Sequence, residues 1–133
     1  MEAILIEPTE FSPGLILDPV NSKFEIYGES RPENARKFFE PAIKWLEDYR
    51  LNLFWQKEKF GKTQKIVFEF KFDYFNSTSG KFILDILKQL DKYFLEGYNI
   101  EIKWYHDQRD EDMKDSGGEF AKLVQTPFEF IPR

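Results

Sequence analysis

Residues 66–105 read IVFEFKFDYFNSTSGKFILDILKQLDKYFLEGYNIEIKWY, and this stretch decides the fold. Its first eight residues place apolar and charged side chains alternately, which is typical of a strand with one buried face. Apolar residues at helical spacing then cover 82–94, and Gly97 marks the end of that helix. Residues 98–105 alternate again. A helix between two strands predicts a βαβ unit whose strands pair in parallel.

Shorter segments extend this unit to one mixed α/β domain covering residues 1–133. Alternating or apolar runs predict further strands at 3–6, 15–17, 23–27 and 128–131, with a turn beginning at Gly28. Since the longer strands each have a single apolar face, we expect a single-layer mixed sheet with helices mainly on one face.

Two further helices are predicted outside the βαβ unit. Ser30-Arg31-Pro32-Glu33 has the spacing of a capping box, so we expect a helix to begin there. Pro41 should kink this helix, because proline cannot donate a backbone hydrogen bond. A charged loop is expected at 56–64. A weak third helix is expected at about 110–124, interrupted by Gly117-Gly118.

The strand face opposite the helices is predicted to be charged. This face is either solvated or a docking surface for a partner, and the alternation alone leaves both open. Its predicted members are Glu25, Glu69, Lys71, Asp73, Glu101 and Lys103.

Composition restricts the class of protein. The 133 residues include 24 aromatic ones (15 Phe, 6 Tyr and 3 Trp), which predicts a dense, Phe-rich core. No cysteine is present, which excludes disulfides and thiolate metal sites. The net charge of −5 argues against a nucleic-acid-binding protein. Glu2 and Glu7 stand where a secretory signal would be basic, so a cytoplasmic protein without membrane insertion is expected.

The strand-to-helix turn Asn76-Ser77-Thr78-Ser79-Gly80 is rich in hydroxyl groups. Ser and Thr are favoured helix N-caps, which accounts for one or two of the three hydroxyls. A helix N-terminus also favours an added anion. The turn is therefore a candidate phosphorylation site, at which a phosphate would add about −1.5 to −2 charges.

Catalytic alternatives fit this turn less well. The glycine positions of a phosphate-binding loop and of a nucleophile elbow are not filled around Gly80 and Ser77. A hydrolase arrangement of Ser77 with the single histidine, His106, and with Asp73 or Asp107 is conceivable, if both strands end at one sheet edge. The acidic residues of segment 107–115 do not match a calcium loop. No cofactor and no metal are expected.

Most of the chain resembles the SiaC-like biofilm-regulation phosphoproteins. The residues that carry the resemblance keep the family's order and spacing. They are Ser12-Pro13, Asp18, residues 28–34, Phe38, Trp45-Leu46, residues 74–79, Lys81, Trp104-Tyr105, residues 110–112, residues 118–120 and Pro127-Phe128.

The resemblance implies a regulatory protein without enzymatic activity and a fold like that of anti-sigma-factor antagonists (STAS domains). A serine/threonine kinase and a PP2C-type phosphatase are its implied partners. The unphosphorylated form is implied to bind and activate a membrane diguanylate cyclase, raising cyclic di-GMP. The modified position maps to Ser77, where the family usually has Thr, and Thr78 is the second choice.

The downstream partner stays open, because the same logic serves an anti-anti-sigma-type switch that controls transcription. In either case the residues around the switch are expected to contact the partner. They are Tyr74, Phe75, Asn76, Ser79, Gly80 and Lys81, with Phe82 either in this set or in the core.

Overall fold

A computed structural model describes residues 1–133, which form one six-stranded sheet and three helices. The elements, in chain order, are β1 (Ile4–Ile6), β2 (Gly14–Asp18), β3 (Lys23–Ser30), α1 (Ala35–Phe60), β4 (Ile66–Phe75), α2 (Ser77–Leu95), β5 (Ile100–His106), α3 (Glu111–Ala121) and β6 (Phe128–Pro132). The predicted mixed α/β fold and its parallel βαβ unit are confirmed.

The strands stand side by side in the same order as in the sequence. β1, β2 and β3 form an antiparallel meander, whereas β3 to β6 pair in parallel. Each parallel connection contains one helix. Because β3 and β4 are parallel, α1 and α2 both begin at the end of the sheet where the C-termini of these strands lie.

The core lies between the helices and one face of the sheet. Twenty-five buried apolar residues form a single cluster, to which every helix and four of the strands, β2 to β5, contribute. Phe68 and Phe70 of β4 and Trp104 of β5 are fully buried at its centre. Phe70 stacks on Trp104 with 5.5 Å between ring centroids. The predicted Phe-rich core is therefore confirmed, and burial of such rings is a large stabilising contribution.

The predicted start of α1 is wrong. Ser30 is the last residue of β3, and the helix is capped four residues later by Asn34, whose side chain accepts a hydrogen bond from Lys37 N at 3.1 Å. Gly28 does not begin a turn either. It has a φ of +94° inside β3, where the register to β4 shifts, and glycine adopts this conformation without strain.

The charged loop predicted at 56–64 is shorter than expected, because residues 56–60 are helical and only residues 61–64 are a loop. α1 passes through Pro41 and continues to Phe60, and Gly61 ends it in the left-handed conformation. Gly61 N donates to Lys57 O at 2.8 Å, which is the expected geometry of a glycine cap. The helix thus has 26 residues, a length of about 39 Å at 1.5 Å per residue. None of the helices combines the length and the apolarity needed to cross a bilayer.

The glycine pair does not interrupt α3. The helix continues from Glu111 to Ala121, and Gly117 faces the sheet. A Cβ at residue 117 would lie 2.5 Å from the indole ring of Trp104, whereas one at residue 118 would meet nothing within 4 Å. Trp104 Nε1 also donates to Met113 O at 2.9 Å. Gly117 therefore allows the helix backbone to lie directly on the tryptophan.

Candidate functional site

The hydroxyl-rich turn begins α2 at the end of β4. Asn76 is the N-cap, with extended backbone, and its side-chain oxygen accepts a hydrogen bond from Ser79 N at 2.9 Å. The expectation that a hydroxyl side chain caps this helix is therefore wrong. Ser77, Thr78 and Ser79 occupy the first three helical positions, so their side chains are free for other contacts.

Ser79 lies inside the domain, not on the surface expected for it. Its side chain is 0% exposed and is paired with Ser30 at the end of β3. The Ser30 hydroxyl donates to Ser79 Oγ at 2.8 Å, and the Ser79 hydroxyl donates to the Ser30 carbonyl at 3.1 Å. Asn76 N donates to the same carbonyl at 3.0 Å. These bonds attach the turn to the neighbouring strand and remove Ser79 from direct contact with a partner.

Ser77 and Thr78 are the two exposed hydroxyls of the turn. Their backbone N–H groups stand at helix positions that have no intrahelical acceptor. The first turn of α2 contains no acidic side chain. Lys81 is exposed one helical turn further on, at i+4 from Ser77 and i+3 from Thr78, and so lies on the same side of the helix.

The flanks of the turn differ in their exposure. Tyr74 is 49% exposed at the end of β4. Phe75 is half-buried and packs edge-on against Trp104, with 6.3 Å between ring centroids. Gly80 lies beneath Phe75, where a Cβ would be 3.5 Å from the ring. Tyr74 and Lys81 are therefore the predicted contact residues that project most freely beside the hydroxyls.

Phe82 follows the turn on α2 and is half-buried. The Phe82 ring stacks on Phe39 of α1, with 5.5 Å between ring centroids. The Arg36 guanidinium lies 5.8 Å from the centroid of the Phe82 ring. Most of this side chain thus belongs to the α1–α2 packing.

The hydrolase arrangement does not form. No hydrogen bond joins Ser77 to His106, which is only 6% exposed and whose Nδ1 lies 3.1 Å from the Asp107 carbonyl oxygen. The two carboxylates considered as the third member, Asp73 and Asp107, contact arginine side chains instead. The strand ends do share one edge, as predicted, but the groups are not assembled for nucleophilic catalysis.

The acidic segment 107–115 serves the start of α3. Asp110 is the N-cap and accepts from Met113 N at 3.0 Å, while Glu111 and Asp112 lie in the first turn. Carboxylates are favoured at this end of a helix. No group of three or more acidic or histidine side chains in the chain is arranged to hold a metal ion.

The sheet face opposite the helices carries a connected set of charges. Lys23 contacts Glu25 at 3.1 Å and Glu69 at 3.2 Å, and Lys71 contacts Glu25 at 3.1 Å. Sequence alternation predicted Glu25, Glu69 and Lys71 on this face but predicted neither Lys23 there nor the ion pairs. It also missed that Glu25 is buried and that the Tyr105 hydroxyl donates to Glu69 at 2.6 Å.

This pairing alters the acidity of two groups. Burial raises the pKa of Glu69, but hydrogen bonds from Tyr105 and Lys23 and the charge of Lys71 outweigh it, so the pKa lies below its ordinary value. The hydrogen bond to Glu69 is the main cause that raises the pKa of Tyr105 to about 12. The face is thus largely self-neutralised near neutral pH.

A family model described as SiaC family regulatory phosphoprotein matches residues 6–133. The chain belongs to the SiaC family. An uncharacterized protein of Pseudomonas aeruginosa strain UCBPP-PA14 is 24% identical over 128 residues, which are 96% of this chain and 94% of that protein. The expected family is therefore confirmed over nearly the whole chain.

Solved structures share the fold. The crystal structure of apo-SiaC from Pseudomonas aeruginosa matches with a TM-score of 0.84 and 23% identity, covering 98% of this chain and 99% of that one. A chain in the crystal structure of diguanylate cyclase SiaD in complex with its activator SiaC matches with a TM-score of 0.85, 23% identity and the same coverage. At this identity the likeness establishes the SiaC fold.

Proposed function

We propose that this SiaC-family chain is a non-enzymatic switch whose binding to a diguanylate cyclase is controlled by phosphorylation of Ser77, with Thr78 as the second choice. The observation that carries the proposal is the pair of exposed hydroxyls in the first turn of α2, beside Tyr74 and Lys81. Family membership supports the phosphoprotein class, and the solved complex of SiaD with its activator SiaC supports a cyclase as the partner.

The domain itself tolerates the added charge. A phosphate on Ser77 would lie near unpaired helix N–H groups, without an acidic neighbour in the turn, and one turn from Lys81. Such placement stabilises a helix by about 0.3–1 kcal/mol. Phosphorylation should therefore leave the fold intact.

A partner whose surface contacts the turn does not tolerate the added charge. An unpaired charge enclosed in an interface costs several kcal/mol, and about 1.4 kcal/mol corresponds to a tenfold change in affinity. One phosphate would then weaken binding by about a thousandfold. In this proposal a cytoplasmic kinase adds the phosphate and a PP2C-type phosphatase removes it, so the two enzymes set the fraction of active protein.

The modified residue is identified by incubating the protein with its cognate kinase and ATP and mapping phosphate by mass spectrometry. We expect phosphate on Ser77 in the wild type, loss of phosphate in Ser77→Ala and retention in Thr78→Ala. The reverse pattern would assign Thr78. Phosphate at neither residue would refute the proposed switch.

The charge mechanism is tested with Ser77→Asp and a purified cyclase partner. We expect an unchanged or slightly raised melting temperature and a loss of binding in calorimetry. Asn99→Asp, an exposed position beyond the other end of α2, introduces the same charge away from the turn and should bind as the wild type does. Full affinity of Ser77→Asp would show that charge at this residue does not release the partner.

A further inference from the structure

An exposed aromatic side chain lies beside the end of β3, the strand next to the switch turn. Phe11, in the loop between β1 and β2, is 49% exposed, although several hydrogen bonds fix the loop around it. Ser12 N donates to Thr9 Oγ1 at 2.9 Å, and Thr9 N donates to Ser12 O at 2.9 Å. Arg31 N donates to Phe11 O at 2.8 Å. The fold therefore holds this loop against the end of β3 while leaving the ring accessible to solvent.

Arg31, the first residue after β3, lies over this ring. The carbon of its guanidinium is 4.7 Å from the ring centroid of Phe11, and its Nε donates to Glu29 at 3.0 Å. The two terminal nitrogens of the guanidinium form no hydrogen bond within the protein. Free terminal N–H groups of an arginine bind a carboxylate of another molecule through two parallel hydrogen bonds. Arg31 is therefore held in place on one side and open to a partner on the other.

These side chains are continuous with the switch turn. Glu29 is the register partner of Tyr74 on β4, and the register shifts by one residue just before this pair. The extra residue in β4 leaves Tyr74 exposed, where strict alternation would bury it. Glu29 precedes the inward-facing Ser30 and so points to the same face as Tyr74. The two residues stand on adjacent strands about 4.8 Å apart, and Tyr74 is followed three residues later by Ser77.

We propose that Phe11, Arg31 and Tyr74, with Glu29 between them, extend the partner-binding surface beyond the turn; we name these four residues the arginine surface. The inference rests on the proposed function, because its occupant is the cyclase whose release Ser77 controls. Phe, Tyr and Arg are the residue types enriched in protein interfaces. The two rings and the free guanidinium nitrogens together fit a cyclase segment that presents a carboxylate next to an apolar side chain.

The stability of the domain does not account for this surface. The side chains of Arg31 and Glu29 are 43% and 42% exposed, and an ion pair at such exposure contributes little because solvent screens it. The Phe11 ring belongs neither to the core cluster nor to the half-buried side chains that pack against it. Substitutions of Phe11 and Arg31 should therefore leave the protein folded, so that their effect on binding is measured directly.

Calorimetry with a purified cyclase compares the unphosphorylated wild type with Phe11→Ala and Arg31→Gln. We expect each substitution to weaken binding by about 10- to 30-fold, as truncation of a central interface residue does. Glu29→Gln releases the guanidinium from its internal carboxylate and should bind at least as tightly as the wild type. The matched control, Phe60→Ala, removes a ring that is 66% exposed at the other end of α1 and should bind normally. Melting temperatures verify that each variant is folded.

The outcomes separate this inference from the switch itself. If Ser77→Asp releases the cyclase but Phe11→Ala and Arg31→Gln bind as the wild type does, the arginine surface is outside the interface and the switch stands. Weakened binding of both variants together with full affinity of Ser77→Asp would support the surface and refute the charge mechanism. A wild type that binds no cyclase would overturn both. Self-association in sedimentation that Phe11→Ala abolishes, with unchanged cyclase binding, would assign the surface to a second copy instead.

Discussion

Replacing Ser79 by alanine tests whether the buried hydroxyl pair holds the switch turn in place. The substitution leaves the Ser30 hydroxyl without its acceptor in a site that is 0% exposed. The carbonyl of Ser30 keeps one partner, Asn76 N at 3.0 Å. A buried donor that loses its partner costs about 1–3 kcal/mol. We therefore expect Ser79→Ala to lower the free energy of unfolding by that amount.

The partner substitution should be milder. In Ser30→Ala the Ser79 hydroxyl still donates to the carbonyl of residue 30, so the loss is one hydrogen bond, about 0.5–1.5 kcal/mol. In the double variant no side-chain donor is left unpaired. Its cost should be no greater than that of Ser79→Ala alone, which gives a favourable coupling of about 1 kcal/mol.

Urea unfolding of the wild type, the two single variants and the double variant measures this coupling, provided that the m-value is unchanged. Effects that simply add would show that the two hydroxyls act separately. A Ser79→Ala variant as stable as the wild type would refute the reasoning, because it would mean that the Ser30 hydroxyl is not confined by the fold.

Two further predictions concern packing and pH. Gly117→Ala should destabilise the protein by about 1–3 kcal/mol, because the added Cβ overlaps an indole ring, whereas Gly118→Ala should stabilise α3 by up to about 1 kcal/mol. Thermal melts compare the two, and equal effects would contradict this packing. Since the folded-state pKa of Glu69 is lowered, its stabilisation is present above the unfolded-state pKa of about 4.3 and is lost as pH falls through the folded-state value. Tyr105→Phe removes a hydrogen bond that lowers this pKa, so the acid-unfolding midpoint followed by circular dichroism should move to higher pH. Tyr27→Phe on the same face, whose hydroxyl makes no such bond, should leave it unchanged, and an unshifted midpoint for Tyr105→Phe would count against the linkage.

Periodicity predicted the parts of the fold that depend on local pattern. The alternation of β4 and β5 and the apolar stripe of α2 fixed a parallel βαβ unit, because each pattern has one structural solution on a buried sheet face. The position of the switch turn, between the C-terminal end of β4 and the start of α2, was also predicted from this unit.

Predictions that depended on single residues were less successful. The capping box at Ser30 is a local pattern that tertiary contacts override, because Ser30 is held in β3 by its bonds to Ser79 and Asn34 caps α1 instead. Gly117 was predicted to interrupt the helix, since glycine is a poor helix former. The reason for a glycine at this position is instead the close contact with Trp104, which belongs to another element. Such distances are not visible in a local pattern.

The candidate site was predicted to the level of the turn but not of the atom. Three adjacent hydroxyls look equivalent in the sequence, yet helix geometry turns Ser79 inward and Ser77 and Thr78 outward. The C-terminal end of α1 was also mispredicted, since the expected loop at 56–64 begins only at Gly61 and residues 56–60 continue the helix.

The match between strand order and chain order has a consequence for how the protein is made. Every strand pairs only with its immediate neighbours in the sequence, so none has to be inserted between two strands already in place. A ribosome delivering the chain from its N-terminus would extend the sheet one strand at a time, each parallel addition bringing its own helix. The edge occupied by β6 is then completed last, after the turn at Asn76 has already been formed between finished elements.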